Sequence, residues 1–173
     1  PTPLGKATPD RFWELVRAGL DVSGHLIATG DAVPAVVIRY LADSSEALVD
    51  GDRVSICSAS KSWAGESGAF EVIDGTWTCG FDALVTGFRA SGAPIDSWSP
   101  DFPLDGSPKE SVKASDGRWT WTLTGAGFDA ASKATVTLDL ASGRILRATL
   151  VDTSGTTNWS FDYTSSVEAI AHP

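Results

Sequence analysis

Residues 117–123 read Gly117-Arg118-Trp119-Thr120-Trp121-Thr122-Leu123. Large apolar side chains alternate with threonine, the pattern of a strand with one buried and one solvated face. Asp116-Gly117 just before it is a two-residue hairpin turn that returns the chain from a strand around Val112. Beyond it, Val136, Leu138 and Leu140 alternate with Thr135, Thr137 and Asp139. A turn at Ser142-Gly143 leads into residues 145–151. A further turn at 152–155 leads into Trp159, Phe161 and Tyr163, alternating with Asn158, Ser160 and Asp162. Strands joined by such short turns form an antiparallel meander.

The rest of the chain reads outward from that meander. At the start, Thr8 is placed as an N-cap, Pro9 at the first helical position and Asp10 at the positive end of the dipole. Phe12, Leu15, Val16 and Leu20 then lay one apolar stripe along a helix. Strand-like runs follow at 25–28, 36–41, 47–49 and 54–57, the last two flanking Asp50-Gly51 as a hairpin. Runs at 69–73 and 76–79 flank Asp74-Gly75 and predict another, while 58–68, small and polar, reads as a loop. A second helix is expected over Phe81, Leu84, Val85 and Phe88, ended by Gly92 and Pro94. Residues 92–108 carry four prolines with Trp98 and Phe102, which reads as a long contact loop.

These elements predict an α+β, β-rich chain: a single curved antiparallel sheet, or half-barrel, with two helices packed on its open face. Residues 1–7 read as a spacer and 8–173 as one domain. The absence of methionine means that Pro1 is not a translation start. A removed signal peptide, a lipid anchor upstream of Pro1 or simple trimming would each account for that.

Composition narrows the function. Hydrophobic residues at 42% and charged residues at 20% exclude a disordered tail, and no apolar run approaches the roughly 20 residues of a membrane span. A net charge of −9, with scattered arginines, argues against nucleic acid and anionic membranes. Cys57 and Cys79 are expected as a disulfide closing a loop of about 23 residues, worth ~3 kcal/mol in the chain-entropy model. Two buried free thiols are the alternative. A disulfide implies an oxidising, extracytoplasmic compartment.

Catalytic and metal motifs are missing. Ser58-Ala59-Ser60-Lys61 matches an S-x-x-K pattern without its partner motifs and is rejected. Only His25 and His172 are available as bases, no zinc or phosphate-loop spacing occurs, and no cofactor is implied. Asp96, Asp101 and Asp105 share one loop and are the only carboxylates weighed for calcium binding or glycoside hydrolysis. The chain is read as a non-enzyme. Its seven tryptophans are the strongest remaining feature: they fill a core, line an apolar cavity or form an exposed patch.

A family likeness enters at the closing hairpins. Gly117-Arg118-Trp119-Thr120-Trp121, then Val136-Thr137-Leu138-Asp139 with Ser142-Gly143-Arg144-Ile145-Leu146-Arg147, then Trp159-Ser160-Phe161, resemble the corresponding hairpins of LolA/LppX-like envelope lipoproteins and lipid carriers. Asp139, Gly143, Leu146 and Arg147 occupy the family's "D-x-x-x-G-x-x-L-R" positions. The likeness extends more loosely to the opening helix; the cysteine pair and the 92–108 loop depart from it. The resemblance implies an incomplete barrel holding an acyl chain, lipid or lipoprotein between sheet and helices, and no catalytic residue.

On that expectation Trp119, Trp121, Leu123, Leu138, Trp159 and Phe161 line the sheet side of a cavity. Phe12, Val16, Leu84 and Phe88 line the helix side. The protein is then secreted, periplasmic or membrane-tethered. The alternatives are a cavity-less interaction or regulatory domain of the cell envelope that uses Trp98 and Phe102, and a carbohydrate-active hydrolase.

Overall fold

The computed structural model of the chain describes residues 4–19, 24–30, 36–99, 108–125 and 131–173, with 24–30 described in backbone only. It opens with helix α1 (Pro9–Gly19), whose Thr8 hydroxyl accepts the Arg11 amide at 3.3 Å, the capping bond expected from the sequence. The strands β1 (Gly24–Gly30), β2 (Val36–Tyr40), β3 (Ser44–Val49), β4 (Asp52–Ser58), β5 (Lys61–Glu66) and β6 (Ala69–Ile73) follow. Next come β7 (Thr78–Cys79), helix α2 (Phe81–Ser91) and β8 (Ser97–Trp98). The strands β9 (Lys109–Ser115), β10 (Arg118–Thr124), β11 (Lys133–Asp139), β12 (Arg144–Asp152) and β13 (Gly155–Asp162) complete the order.

Eleven of these strands form one antiparallel sheet, ordered β6-β5-β4-β3-β2-β1-β13-β12-β11-β10-β9. Each neighbour in this order is also a neighbour in sequence except β1 and β13, which pair from His25↔Asp162 to Gly30↔Thr157. That junction welds two meanders into one sheet. The sheet is curved and not closed into a barrel, so β6 and β9 remain as edges. Register breaks at Ala47/Leu48 and Thr137/Leu138 add local twist to it. The α+β architecture is the one expected, with both helices contributing to one apolar cluster on one face of the sheet.

Three local expectations are corrected. Residues 58–68 are not a loop, because Ala59 and Ser60 turn the chain with φ of 51° and 66° and β5 pairs with β4 from Ser55↔Ala64 to Ser58↔Lys61. Asp74-Gly75 is not a hairpin: the Trp77 indole donates to the Ile73 carbonyl at 3.0 Å and the chain leaves the sheet. β7 then pairs with β8 in a separate ladder, Thr78↔Trp98 and Cys79↔Ser97. The 92–108 stretch therefore contains a short strand rather than loop alone. Leu20, Phe102, Asp101 and Asp105 lie outside the described residues.

Helix α2 is held by glycine at both ends. Gly80, at φ 73°, lies where an added Cβ would meet the Leu41 carbonyl oxygen at 2.6 Å. Gly92, at φ 78°, donates its amide to Phe88 O and sits where a Cβ would meet the Ala134 methyl at 2.4 Å. Small residues on both sides let the helix end approach the sheet at backbone distance.

Candidate functional site

The pleat dictates what the helices see. Trp121, Val136, Ala148 and Trp159 lie directly opposite one another across β10, β11, β12 and β13, and so share the face beneath the helices. Trp119 and Leu138 form a parallel row one pleat along. From above, α1 contributes Phe12, Trp13 and Val16, and α2 contributes Phe81, Leu84, Val85 and Phe88.

The ten side chains expected to line an interior are brought together. Phe12, Val16, Leu84, Phe88, Trp119, Trp121, Leu123, Leu138 and Trp159 belong to one buried cluster, and Phe161 packs against it, half-buried. Trp13, on the same helix face but not anticipated in this role, wedges among them. Its ring meets Phe12 edge-on at 5.0 Å and Trp121 edge-on at 5.1 Å, a favourable arrangement for aromatic quadrupoles. Phe88 lies 6.1 Å from Phe161. The nine cluster members are 0–8% exposed, so little water-sized space touches them in this state.

Polar groups within and around this layer are few. The indole N–H of Trp121 donates to Glu110 at 2.8 Å, at the rim on β9. The indole N–H groups of Trp13, on the helix wall, and Trp159, on the sheet wall, are buried with no acceptor among the described residues. Buried donors of this kind nearly always find a partner. At the rim, Arg89 of α2 donates to Asp10 of α1 at 2.6 Å and to Glu110 of β9 at 3.0 Å. Burial alone would lower the Arg89 pKa, but its bonds to the two carboxylates outweigh it and hold the guanidinium charged. One side chain thereby ties both helices to the sheet edge. A spacing rule finds no such trio, since its members are 79 and 21 residues apart from Arg89.

The second attachment of α2 is covalent. Cys57 on β4 and Cys79, just ahead of the helix, form the disulfide expected from the sequence. Beside it, Asp96 lies over β3 and β4: its carboxylate accepts from Ser55 and its carbonyl from Ser45. Burial raises the Asp96 carboxyl above its usual range, with the Ser55 bond opposing the shift. Nothing in the sequence marked Asp96 out from its loop neighbours.

The other residues weighed for chemistry are dispersed. His172 stacks on Trp63 on the opposite face of the sheet, and Ser58 and Lys61 flank a hairpin turn rather than opening a helix. Trp98 is half-buried in the β7–β8 ladder. Among the described residues no group of three His, Cys, Asp or Glu is placed to hold a metal, and no helix is long and apolar enough to cross a membrane.

No protein-family model matches the chain, and no curated protein matches it. Several solved structures are similar to it, among them the following three. LprF from Mycobacterium bovis is 10% identical with a TM-score of 0.44, over 98% of this chain and 99% of that one. The LolA superfamily protein from Nitrosomonas europaea is 12% identical with a TM-score of 0.38, over 97% and 96%. The lipoprotein LppX from Mycobacterium tuberculosis is 13% identical with a TM-score of 0.45, over 93% and 100%.

Proposed function

We propose that the protein is an extracytoplasmic binding module that takes a lipid, acyl chain or lipoprotein acyl group between its helices and its sheet. The observation that carries this reading is the pair of buried indole donors, Trp13 and Trp159, set in apolar walls without acceptors among the described residues. An acyl ligand supplies both what the walls attract and the ester or carboxylate oxygen the donors lack. The ten residues from Phe12 to Phe161 named above are its lining. Binding requires the helices to part from the sheet, because the aromatic rings otherwise fill the space between them. The disulfide, at home in an oxidising compartment, supports a secreted, periplasmic or membrane-tethered location.

Native mass spectrometry of the purified protein, followed by solvent extraction and titration with a fluorescent long-chain fatty acid, tests the proposal. Copurifying acyl species or saturable binding, weakened by Trp13→Phe and Trp159→Phe, is the expected result. Neither signal in delipidated protein would overturn it. A second reading, an envelope interaction or regulatory domain without a cavity, is favoured by the near-complete burial of the interior rings. Absence of acyl binding, together with a partner protein that no longer binds after Trp98→Ala, would establish that one instead.

A further inference from the structure

The face of the sheet turned away from the helices carries a second hydrophobic patch. Arg39, Glu46, Ile56, Trp63 and Val72 lie directly opposite one another from β2 to β6, one pleat out of step with the inward row. Ile56 is 0% and Trp63 5% exposed, although neither described helix covers this side. What covers them is the chain beyond β13. Ile170 packs against Ile56 and Trp63, with Leu41 and Phe70 at the margin. His172 stacks on the Trp63 indole at 5.5 Å, the ring planes nearly parallel at 10°. Between them, Arg53 donates to the Ala171 carbonyl. That guanidinium is itself fixed by Glu46 at 2.7 Å and lies 5.8 Å over the Phe70 ring.

Three successive residues thus present a side chain, a carbonyl and a side chain to the sheet, the alternation by which extended peptides are read. The coverage is also incomplete. Glu168, Ala169, Ala171, His172 and Pro173 are exposed, and residues 163–173 add no strand to the sheet. Past His172 the groove runs on as a cleft of about 500 Å³ between Arg53, Asp52, Gly68 and Phe70. Val72, opposite Trp63 on the edge strand, continues the apolar surface and is 49% exposed.

We infer that this outer groove over β4–β6 is a peptide-binding site, occupied in cis by residues 170–172. Its partner is a protein segment in extended form that carries an aliphatic residue two places before a flat aromatic or imidazole ring. The inference is independent of the acyl-binding reading, because the two sites lie on opposite faces of the sheet.

The test uses the full chain with Ile170→Asp, which releases the anchor without touching the core beneath the helices. A fluorescently labelled peptide of residues 166–173 is titrated by anisotropy into the wild-type and variant chains. A tethered tail competes at millimolar effective concentration, so the variant is expected to bind the peptide at least ~10-fold more tightly than the wild type. Adding Trp63→Ala should abolish that binding. Equal affinity for both chains, or none for a folded Ile170→Asp chain, overturns the proposal. A wild-type dimer in light scattering that Ile170→Asp dissolves overturns the heterologous partner in favour of a second copy. Where Ile170→Asp unfolds the chain, hydrogen exchange of the wild type decides. Tail amides exchanging far faster than those of β4 and β5 support a displaceable segment, and equal protection refutes it.

Discussion

The two halves of the sheet cover the same pleated surface by different means. In the half from β9 to β13, the inward rows are Trp119, Trp121, Leu123, Val136 and Leu138, and the helices lie on them mainly through bulk, with Arg89 tying them to β9. In the half from β3 to β5, the inward row is Ser45, Cys57 and Ser62, all buried and all small. Here the covering segment is attached by specific bonds: the Cys57–Cys79 disulfide and the two serine bonds to Asp96. The large buried hydrophobic residues of this half, Ile56 and Trp63, face the other way, while the smaller Ala47 and Val54 join the inner cluster. Hydrophobic burial is non-directional, whereas a disulfide and directed hydrogen bonds define one position. The end of α2 beside the disulfide is therefore the fixed end. The side facing Trp13 and Trp121, tied among the described residues by Arg89, is the side that the proposed opening would lift.

The largest effect that tests this contrast is Trp121→Ala. Removing a 0% exposed ring at the centre of the aromatic cluster is expected to cost about 3–5 kcal/mol in urea unfolding. A cost near 1 kcal/mol would mean that the aromatic half is loosely filled. Next is the double change Cys57→Ser and Cys79→Ser, expected to cost ~3 kcal/mol through loop entropy. Its signature is regional: hydrogen exchange should rise at the start of α2 and in β7–β8 while β10–β12 stay protected. Uniform loss of protection would dissolve the distinction between the halves.

The smallest effect concerns pH. Because burial raises the folded Asp96 pKa, the folded chain holds that proton more tightly than the unfolded chain. The stability it contributes is complete below the ordinary carboxyl value of 3.8 and is lost as pH rises through the raised folded value. Asp96→Asn keeps an acceptor for Ser55 without the charge. The variant should match or exceed wild-type stability at neutral pH by up to about 1 kcal/mol, and the gap should close towards acid. A variant clearly less stable at neutral pH would show that the ionised carboxylate is the form this half requires.

Much of the aromatic half was legible because its signals are local. Alternation at Trp119–Leu123, the Asp116-Gly117 turn, with φ of 50° and 76°, and the stripe and C-cap of α2 each depend on residues a few places apart. The stapled half was harder to read. Ala59 and Ser60 turn the chain at positive φ without the asparagine or glycine that would announce it, which hid β5. Asp74-Gly75 carries the announcement and makes no hairpin, because the next segment runs to the Cys57 disulfide instead. Of the candidate site, the ten clustered residues follow from periodicity. Trp13 shares their stripe and was passed over, and the Asp10–Arg89–Glu110 tie has no short-range signature at all.

Sequence periodicity determined the elements: which residues alternate, where the helices cap, which face of each element is apolar, and that two cysteines are free to pair. Only the tertiary structure decided that β1 joins β13, that Arg89 bridges three elements, and that Ile170 and His172 lie on the sheet's outer face. The reason is physical. Turn and strand preferences act over a few residues, whereas partners 79 or 118 residues apart are selected by the burial and charge pairing that remain once those elements have met.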